Sequence, residues 1–256
     1  MSSPMELFQK TISPILDAIT DRSLREKIES MATEEFSNVM IYTDRALNNF
    51  SRSHSLLAVY RVFDQNSLAD TEVRSDFLRA VVVFIHASTE DQLRTIAGVL
   101  LPFSGSEALD QIPLSGSSQS GRAEKFFLGS LASYRGMTVD DLIHKSVQEQ
   151  LSRLSFSNCG EIASLLRKIG IDPKSVEHHF PLMEQLIARR HQIVHQADLP
   201  LELGTESNLP RDITYAQVDE WHKMAQQFML DLLTQFSSRT LIEHMEKGFA
   251  QENPPS

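Results

Sequence analysis

The feature that most constrains the fold is a long stretch of helical periodicity at residues 72–101. Its apolar residues recur at steps of three and four, the spacing that places them on one side of an α-helix. Pro102 follows directly, and proline cannot continue a helix interior because it lacks the backbone N–H. The pattern predicts one long, largely buried helix with apolar positions at Phe77, Leu78, Val81, Val82, Ile85, Leu93, Ile96, Ala97 and Leu100.

Helical patterns cover most of the remaining chain. The final helix is predicted to open where Thr214 and Gln217 have the spacing of a capping box, and to extend to about residue 247. No run of alternating apolar and polar residues predicts a strand, and no internal repeat is present. We therefore expect an all-α bundle with loops at 102–122 and 198–211, and with further helices at 5–20, 21–50, 53–64, 123–134, 138–154, 159–169 and 174–196.

Composition narrows the functional classes. The single cysteine, Cys159, excludes an intramolecular disulfide and any zinc site built from several cysteines. The net charge of -10 argues against a protein that coats nucleic acid, because non-specific binding depends on many phosphate contacts, but it is compatible with one local basic site. The first residues show no secretory signal pattern, and the longest apolar patch, 81–85, is too short to span a bilayer. We expect a cytoplasmic protein without membrane association.

One cluster of polar residues suits phosphate chemistry. The segment RRHQIVHQAD, residues 189–198, closes a predicted helix just before a long loop. His191 and His195 are four residues apart and share a helix face, whereas Arg190 lies about 140° from His195. Histidine exchanges protons near neutral pH, and the arginine fork suits a phosphate.

These groups meet the requirements of RNA transesterification without a metal. The reaction needs a base for the ribose 2′-OH, a cation beside the phosphate and an acid for the leaving 5′ oxygen. DNA lacks the 2′-OH nucleophile, so the predicted substrate is RNA alone.

A second polar cluster interrupts the long apolar helix. His86, Glu90 and Arg94 repeat every four residues, and Asp91 lies beside them. This stripe is either a salt-bridged interface between helices or a support for the first cluster.

Together these residues carry a resemblance to a known family. The spacing of Arg190 and His195 matches the Arg-x4–6-His motif of the HEPN superfamily, and RRHQIVHQAD resembles its RiboL-PSP subgroup. The stretch SDFLRAVVVFIHASTEDQLR, residues 75–94, is similar to the long helix that precedes the motif in that subgroup. The resemblance covers about residues 69–250, which we expect to form a HEPN-type helical bundle. Residues 1–68 would add an N-terminal helical segment, and 251–256 a disordered tail.

The resemblance implies a homodimer with two motifs around one cleft. The implied activity is that of a metal-independent endoribonuclease, without a cofactor, acting in stress or antiviral defence. Arg190 and His195 would act on the scissile phosphate as catalytic residues. They would be supported by Arg189, His191, Glu90, Asp91 and Asp198. HEPN toxins silenced by nucleotidyltransferases carry tyrosine two positions after the motif histidine, and Ala197 at that position argues against such regulation.

Other interpretations of the motif remain open. Arg190 and His195 also suit the end of a helix, where cations stabilise the negative end of the helix dipole. Because many HEPN proteins are not catalytic, the alternative function is a helical module that binds a protein or nucleic acid. His191 and His195 resemble the zinc-protease pattern His-Glu-x-x-His, but Gln192 replaces the glutamate that activates water. No third ligand stands out, so we predict no metal site.

Three smaller expectations concern single residues. Asp198 either orients His195 or begins the following loop. The neighbouring His178 and His179 are expected in solvent near a helix start, and Cys159 is expected to be structural because no catalytic partner lies near it in sequence.

Overall fold

The chain folds into an all-α structure, as the sequence predicts. The computed structural model describes residues 22–67, 70–115, 128–199 and 210–252, together with Ser13. Within these ranges there are seven α-helices and no strand. The α-helices are α1 (Arg22–Gln65), α2 (Thr71–Leu100), α3 (Ser106–Leu109), α4 (Val139–Ser152), α5 (Cys159–Lys168), α6 (Phe180–Gln196) and α7 (Tyr215–Glu252). Short 3-10 turns lie at Leu101–Phe103, Leu128–Tyr134, Pro173–Ser175 and Glu177–His179.

Helix α2 lies at the centre of the bundle and confirms the strongest sequence prediction. It packs against α1, α4, α6 and α7. The side chain of Asp70 caps its N-terminus by accepting a hydrogen bond from the Val73 N–H, and Pro102 lies in the 3-10 turn that follows its end. Burial of each large apolar side chain in this core contributes about 1.5–3 kcal/mol relative to exposure. The most deeply buried members include Leu78, Ile85, Leu93, Ile96 and Leu100 of α2 and Phe228 and Phe236 of α7.

Helix α1 is continuous where the sequence predicts a break near residues 50–53. The hydroxyl of Ser53 donates to the Phe50 carbonyl at 2.8 Å, and that of Ser55 donates to the Ser51 carbonyl at 3.0 Å. Because these serines hydrogen-bond within their own helix, they do not end it. Phe50 and Leu57 of α1 are buried in the same core as α2 and α7. The predicted helix at 5–20 lies outside the described residues, apart from Ser13.

The predicted helix at 174–196 begins later than expected. Two 3-10 turns, Pro173–Ser175 and Glu177–His179, precede α6. Pro181 lies in the first turn of α6, the one part of a helix that tolerates proline, because the N–H groups there have no partner within the helix. The helix therefore starts at Phe180 rather than at residue 174.

Two further helix boundaries differ in part from the predictions. The predicted helix at 123–134 is a 3-10 turn over Leu128–Tyr134, and its first five residues lie outside the described ranges. Helix α7 has the predicted capping box: the Thr214 N–H donates to Gln217 Oε1 at 3.2 Å, and the Gln217 N–H donates to Thr214 Oγ1 at 3.3 Å. It reaches Glu252 and so includes the first two residues of the predicted tail, the rest of which is outside the described part.

No helix in the described part of the chain combines the length and the apolar character needed to cross a lipid bilayer.

Candidate functional site

The C-terminal end of α6 and the turn after it contain residues 189–198, the segment with the predicted catalytic residues. Ala197 and Asp198 adopt left-handed backbone conformations, with φ angles of 49° and 61°. The N–H of Asp198 donates to the Gln192 carbonyl at 3.0 Å, so the chain turns back on the last helical turn. This turn ends α6 immediately after His195 and Gln196.

Asp198 is a buried carboxylate held by two arginines. Its Oδ2 accepts from Arg79 Nε at 2.6 Å and from Arg189 Nη2 at 2.8 Å, and the residue has no solvent exposure. The Arg211 carbonyl accepts from both guanidinium groups, at 2.7 Å from Arg79 and 3.0 Å from Arg189. Burial lowers the pKa of Arg189, and the charge of Asp198 opposes that effect. The cluster joins α2, the end of α6 and the segment before α7.

This arrangement assigns Asp198 and Arg189 to a structural network. Asp198 Oδ1 is buried and has no hydrogen-bond partner, and Oδ2 is bound by the arginines. Among the residues that the structure describes, Asp198 makes no hydrogen bond to His195. The sequence reasoning missed Arg79, although a lone arginine among apolar residues of a buried helix was the signal that could have revealed it.

Arg190 lies near enough to the polar stripe of α2 for its charge to act on His86. Its side chain is half-buried, and its Nε is buried without a hydrogen-bond partner. His86 is buried, and burial lowers its pKa; the charge of Glu90 raises that pKa, while the charges of Arg190 and Arg94 lower it further. The motif arginine of α6 and the histidine of α2 are therefore close enough to interact electrostatically. Over the described ranges, no carboxylate forms an ion pair with Arg190.

The rest of the α2 stripe forms a helix interface. Glu90 Oε1 accepts from the Phe156 N–H at 3.0 Å, and its Oε2 accepts from Arg94 Nη2 at 3.0 Å. Arg94 also donates to the Leu154 carbonyl, so this pair holds the connection between α4 and α5 onto α2.

Asp91 anchors α1 instead. Its carboxylate accepts from Arg45 Nε at 2.8 Å and from Asn49 Nδ2 at 3.2 Å, and a second, shorter contact joins it to Arg45. Glu90 thus holds the connection between α4 and α5 on α2, and Asp91 holds α1 there. Any support that they give to the Arg190–His195 motif acts through the position of α2.

His191 and His195 are both exposed and face each other across one turn of α6. Their ring centroids are 4.6 Å apart with an interplanar angle of 45°. In the described ranges no carboxylate, cysteine or further histidine joins them as a possible metal ligand set. Both rings are therefore open to solvent.

The structure also shows the surroundings of Cys159 and of His179, for which the sequence predicts a structural role and a position in solvent. Cys159 is buried, and burial together with the charge of Glu184 raises the pKa of its thiol to about 12, which suits a structural role. His179 is only 7% exposed, so its expected position in solvent is wrong, whereas the neighbouring His178 is exposed.

Comparison of the chain with protein-family models, with curated proteins and with solved structures finds no significant match.

Proposed function

We propose that this chain is a metal-independent endoribonuclease of HEPN type, active as a homodimer. The observation that carries the proposal is the combination at the end of α6: two exposed imidazoles in contact, next in the chain to a guanidinium that no described acid neutralises. A half-buried cation that forms no ion pair with a carboxylate of the described residues favours an anionic ligand such as a phosphate.

The proposed reaction assigns each group one step. His195 takes the proton from the ribose 2′-OH, and that oxygen attacks the adjacent phosphorus. Arg190 stabilises the charge on the phosphate oxygens during the attack. The bond to the 5′ oxygen breaks, and His191 supplies the proton that this oxygen takes up. The products are a 2′,3′-cyclic phosphate end and a 5′-hydroxyl end, and no water is consumed in this step.

The ion pairs that hold the end of α6 support these roles. The Asp198 cluster fixes the end of α6 against α2, so His195 and Arg190 extend from a rigidly held helix end. Catalytic groups need such fixed positions, because small displacements cost large factors in rate. In this proposal Arg189 and Asp198 act as positioning residues, and Glu90 and Asp91 position α2 itself.

The test is cleavage of a mixed RNA pool in EDTA. Wild type is compared with Arg190→Ala and His195→Ala, and the matched controls are Arg167→Ala and His144→Ala, which lie on other helices. We expect products with 2′,3′-cyclic phosphate ends from wild type and both controls, and a loss of about 100-fold or more in each motif variant.

Two results would count against the proposal. If folded wild-type protein leaves RNA intact, the alternative of a non-catalytic helical module that binds a partner takes its place. If cleavage persists in both motif variants, the activity belongs to another site. Sedimentation of the wild-type protein tests the homodimer, and a monomer that cleaves RNA would refute the shared cleft.

A further inference from the structure

A second group of chemically reactive side chains lies at the opposite end of α6. His178 and His179 belong to the 3-10 turn just before this helix, and Asp231 belongs to α7. His179 Nε2 lies 2.8 Å from Asp231 Oδ2, and His178 Nε2 lies 3.4 Å from the same oxygen. One donor atom from each residue falls within 4.8 Å of the other two. Along the helix axis, Arg190 lies roughly 16 Å and His195 roughly 24 Å from this turn.

Two imidazoles converge on one carboxylate oxygen. His178 Nε2 and His179 Nε2 both face Asp231 Oδ2, and the ring centroids of the two histidines are only 3.9 Å apart. If both rings were protonated, their like charges would repel at this separation. A cation among the three donor atoms removes that conflict, because neutral imidazoles and a carboxylate then share one positive partner.

The donor set selects a class of metal. Two imidazole nitrogens and one carboxylate oxygen suit Zn²⁺ and neighbouring divalent transition metals, whereas Mg²⁺ and Ca²⁺ prefer oxygen ligands. Donor atoms around a tetrahedral zinc lie roughly 3.3 Å apart, given bond lengths of about 2.0–2.1 Å. The two spacings to Asp231 Oδ2, 2.8 Å and 3.4 Å, are close to this value, and the third spacing in the set lies within 4.8 Å.

The surroundings hold two of the three ligands in position. Gln227 Nε2 donates to Asp231 Oδ1 at 2.9 Å, which fixes the carboxylate and leaves Oδ2 directed at the histidines. The ring of His179 is buried, with the Phe228 ring perpendicular to it at 6.0 Å. Hydrogen bonds of this kind to metal-binding carboxylates orient the ligand and are worth about 10–100-fold in affinity. His178, with 60% of its side chain exposed, is the ligand free to adjust.

The site opens onto a cleft. Both histidines line a cavity of about 740 Å³, whose other walls include Tyr215, Glu220, Lys223 and Gln227 of α7. Three protein ligands leave at least one coordination position for water or a bound molecule. We propose that His178 Nε2, His179 Nε2 and Asp231 Oδ2 bind one divalent transition-metal ion of the zinc class at the edge of this cleft. This site is independent of the proposed ribonuclease.

The test uses the full chain, stripped of metal with EDTA and dialysed. Titration with Co²⁺ is followed by visible d–d absorption, and Zn²⁺ by calorimetry and by the shift in melting temperature. The variants are His178→Ala and Asp231→Asn; His178 is exposed, so its replacement keeps the fold. The matched control is His191→Ala/His195→Ala, which removes the histidine pair at the far end of α6.

We expect one ion per chain in wild type and in the control, and an affinity reduced at least about tenfold in both site variants. Zn²⁺ should raise the melting temperature of wild type more than that of His178→Ala, because a ligand of the native state stabilises it in proportion to the logarithm of its affinity. Absence of saturable binding in wild type would overturn the proposal. Binding that survives His178→Ala and is lost in the control would place the metal on His191 and His195 instead.

Discussion

Replacing Asp198 removes the carboxylate that binds both Arg79 and Arg189. The two ion pairs have N–O distances of 2.6 Å and 2.8 Å, and the exposed fractions of the side chains are 0% for Asp198, 11% for Arg79 and 13% for Arg189. Solvent therefore screens these pairs little. Removing one partner of such a buried group costs about 3–5 kcal/mol, because the remaining charges stay buried without compensation. For alanine, the left-handed backbone at φ 61° adds about 1 kcal/mol.

The Asp198→Asn variant removes the negative charge of the side chain but keeps its shape. Asparagine tolerates the left-handed conformation, and its carbonyl oxygen can still accept from both arginines. Only the charge is lost, so we expect this variant to lose about 2 kcal/mol, less than alanine. For a chain of this size, each kcal/mol lowers the melting temperature by roughly 2–4 °C.

The measurement is urea unfolding followed by circular dichroism, with Asp76→Ala as the matched control. Asp76 also pairs with Arg79, at 3.1 Å, but 73% of its side chain is exposed. Such a pair contributes at most about 1 kcal/mol. If Asp198→Ala costs no more than Asp76→Ala, the buried cluster does not hold the end of α6 and the positioning argument fails.

Two further predictions concern buried titratable groups. Cys159, with its thiol pKa raised to about 12, should resist alkylation by iodoacetamide at pH 8 in the native protein and react only after unfolding; rapid native labelling would contradict its burial. The pKa values of His86 and His222 are lowered by burial from the ordinary value of 6.5. The unfolded chain therefore binds their protons more readily, so the free energy of unfolding should be highest above pH 6.5. It should fall below that pH by up to about 1.4 kcal/mol per pH unit for each histidine. Urea unfolding at pH 7.5, 6.5 and 5.5 checks this, and a His86→Gln variant with an unchanged pH slope would rule out the contribution of His86.

Local patterns predict the helices well but not all of their boundaries. The spacing of apolar residues within α2 and the capping box at Thr214 are short-range features, and both are confirmed. Helix α1 continues through Ser51 and Ser53, where Phe50 and Leu57 are buried in the core shared with α2 and α7, and no local pattern reveals this packing.

In the candidate site too, contacts between residues close in sequence could be predicted, whereas contacts between distant residues could not. The contact between His191 and His195 follows from their spacing of one helical turn, and the structure places their rings together. The ion pair between Arg79 and Asp198 joins residues 119 positions apart, so no spacing in the sequence relates them. The meeting of His179 with Asp231 on α7, 52 positions away, escaped prediction for the same reason.

Three buried polar residues lie in one row on the same face of α2. Their spacing restricts insertions and deletions in this helix. Arg79, His86 and Glu90 are separated by seven and four residues, so they lie within about 40° of one another around the axis. Each interacts with another segment: Arg79 binds Asp198, the charge of Arg190 acts on His86, and Glu90 binds the Phe156 N–H. Inserting or deleting one residue between positions 79 and 90 would rotate one end of the line by about 100° relative to the other. Single substitutions elsewhere on α2 change one contact, but such a shift in register would break these pairings together.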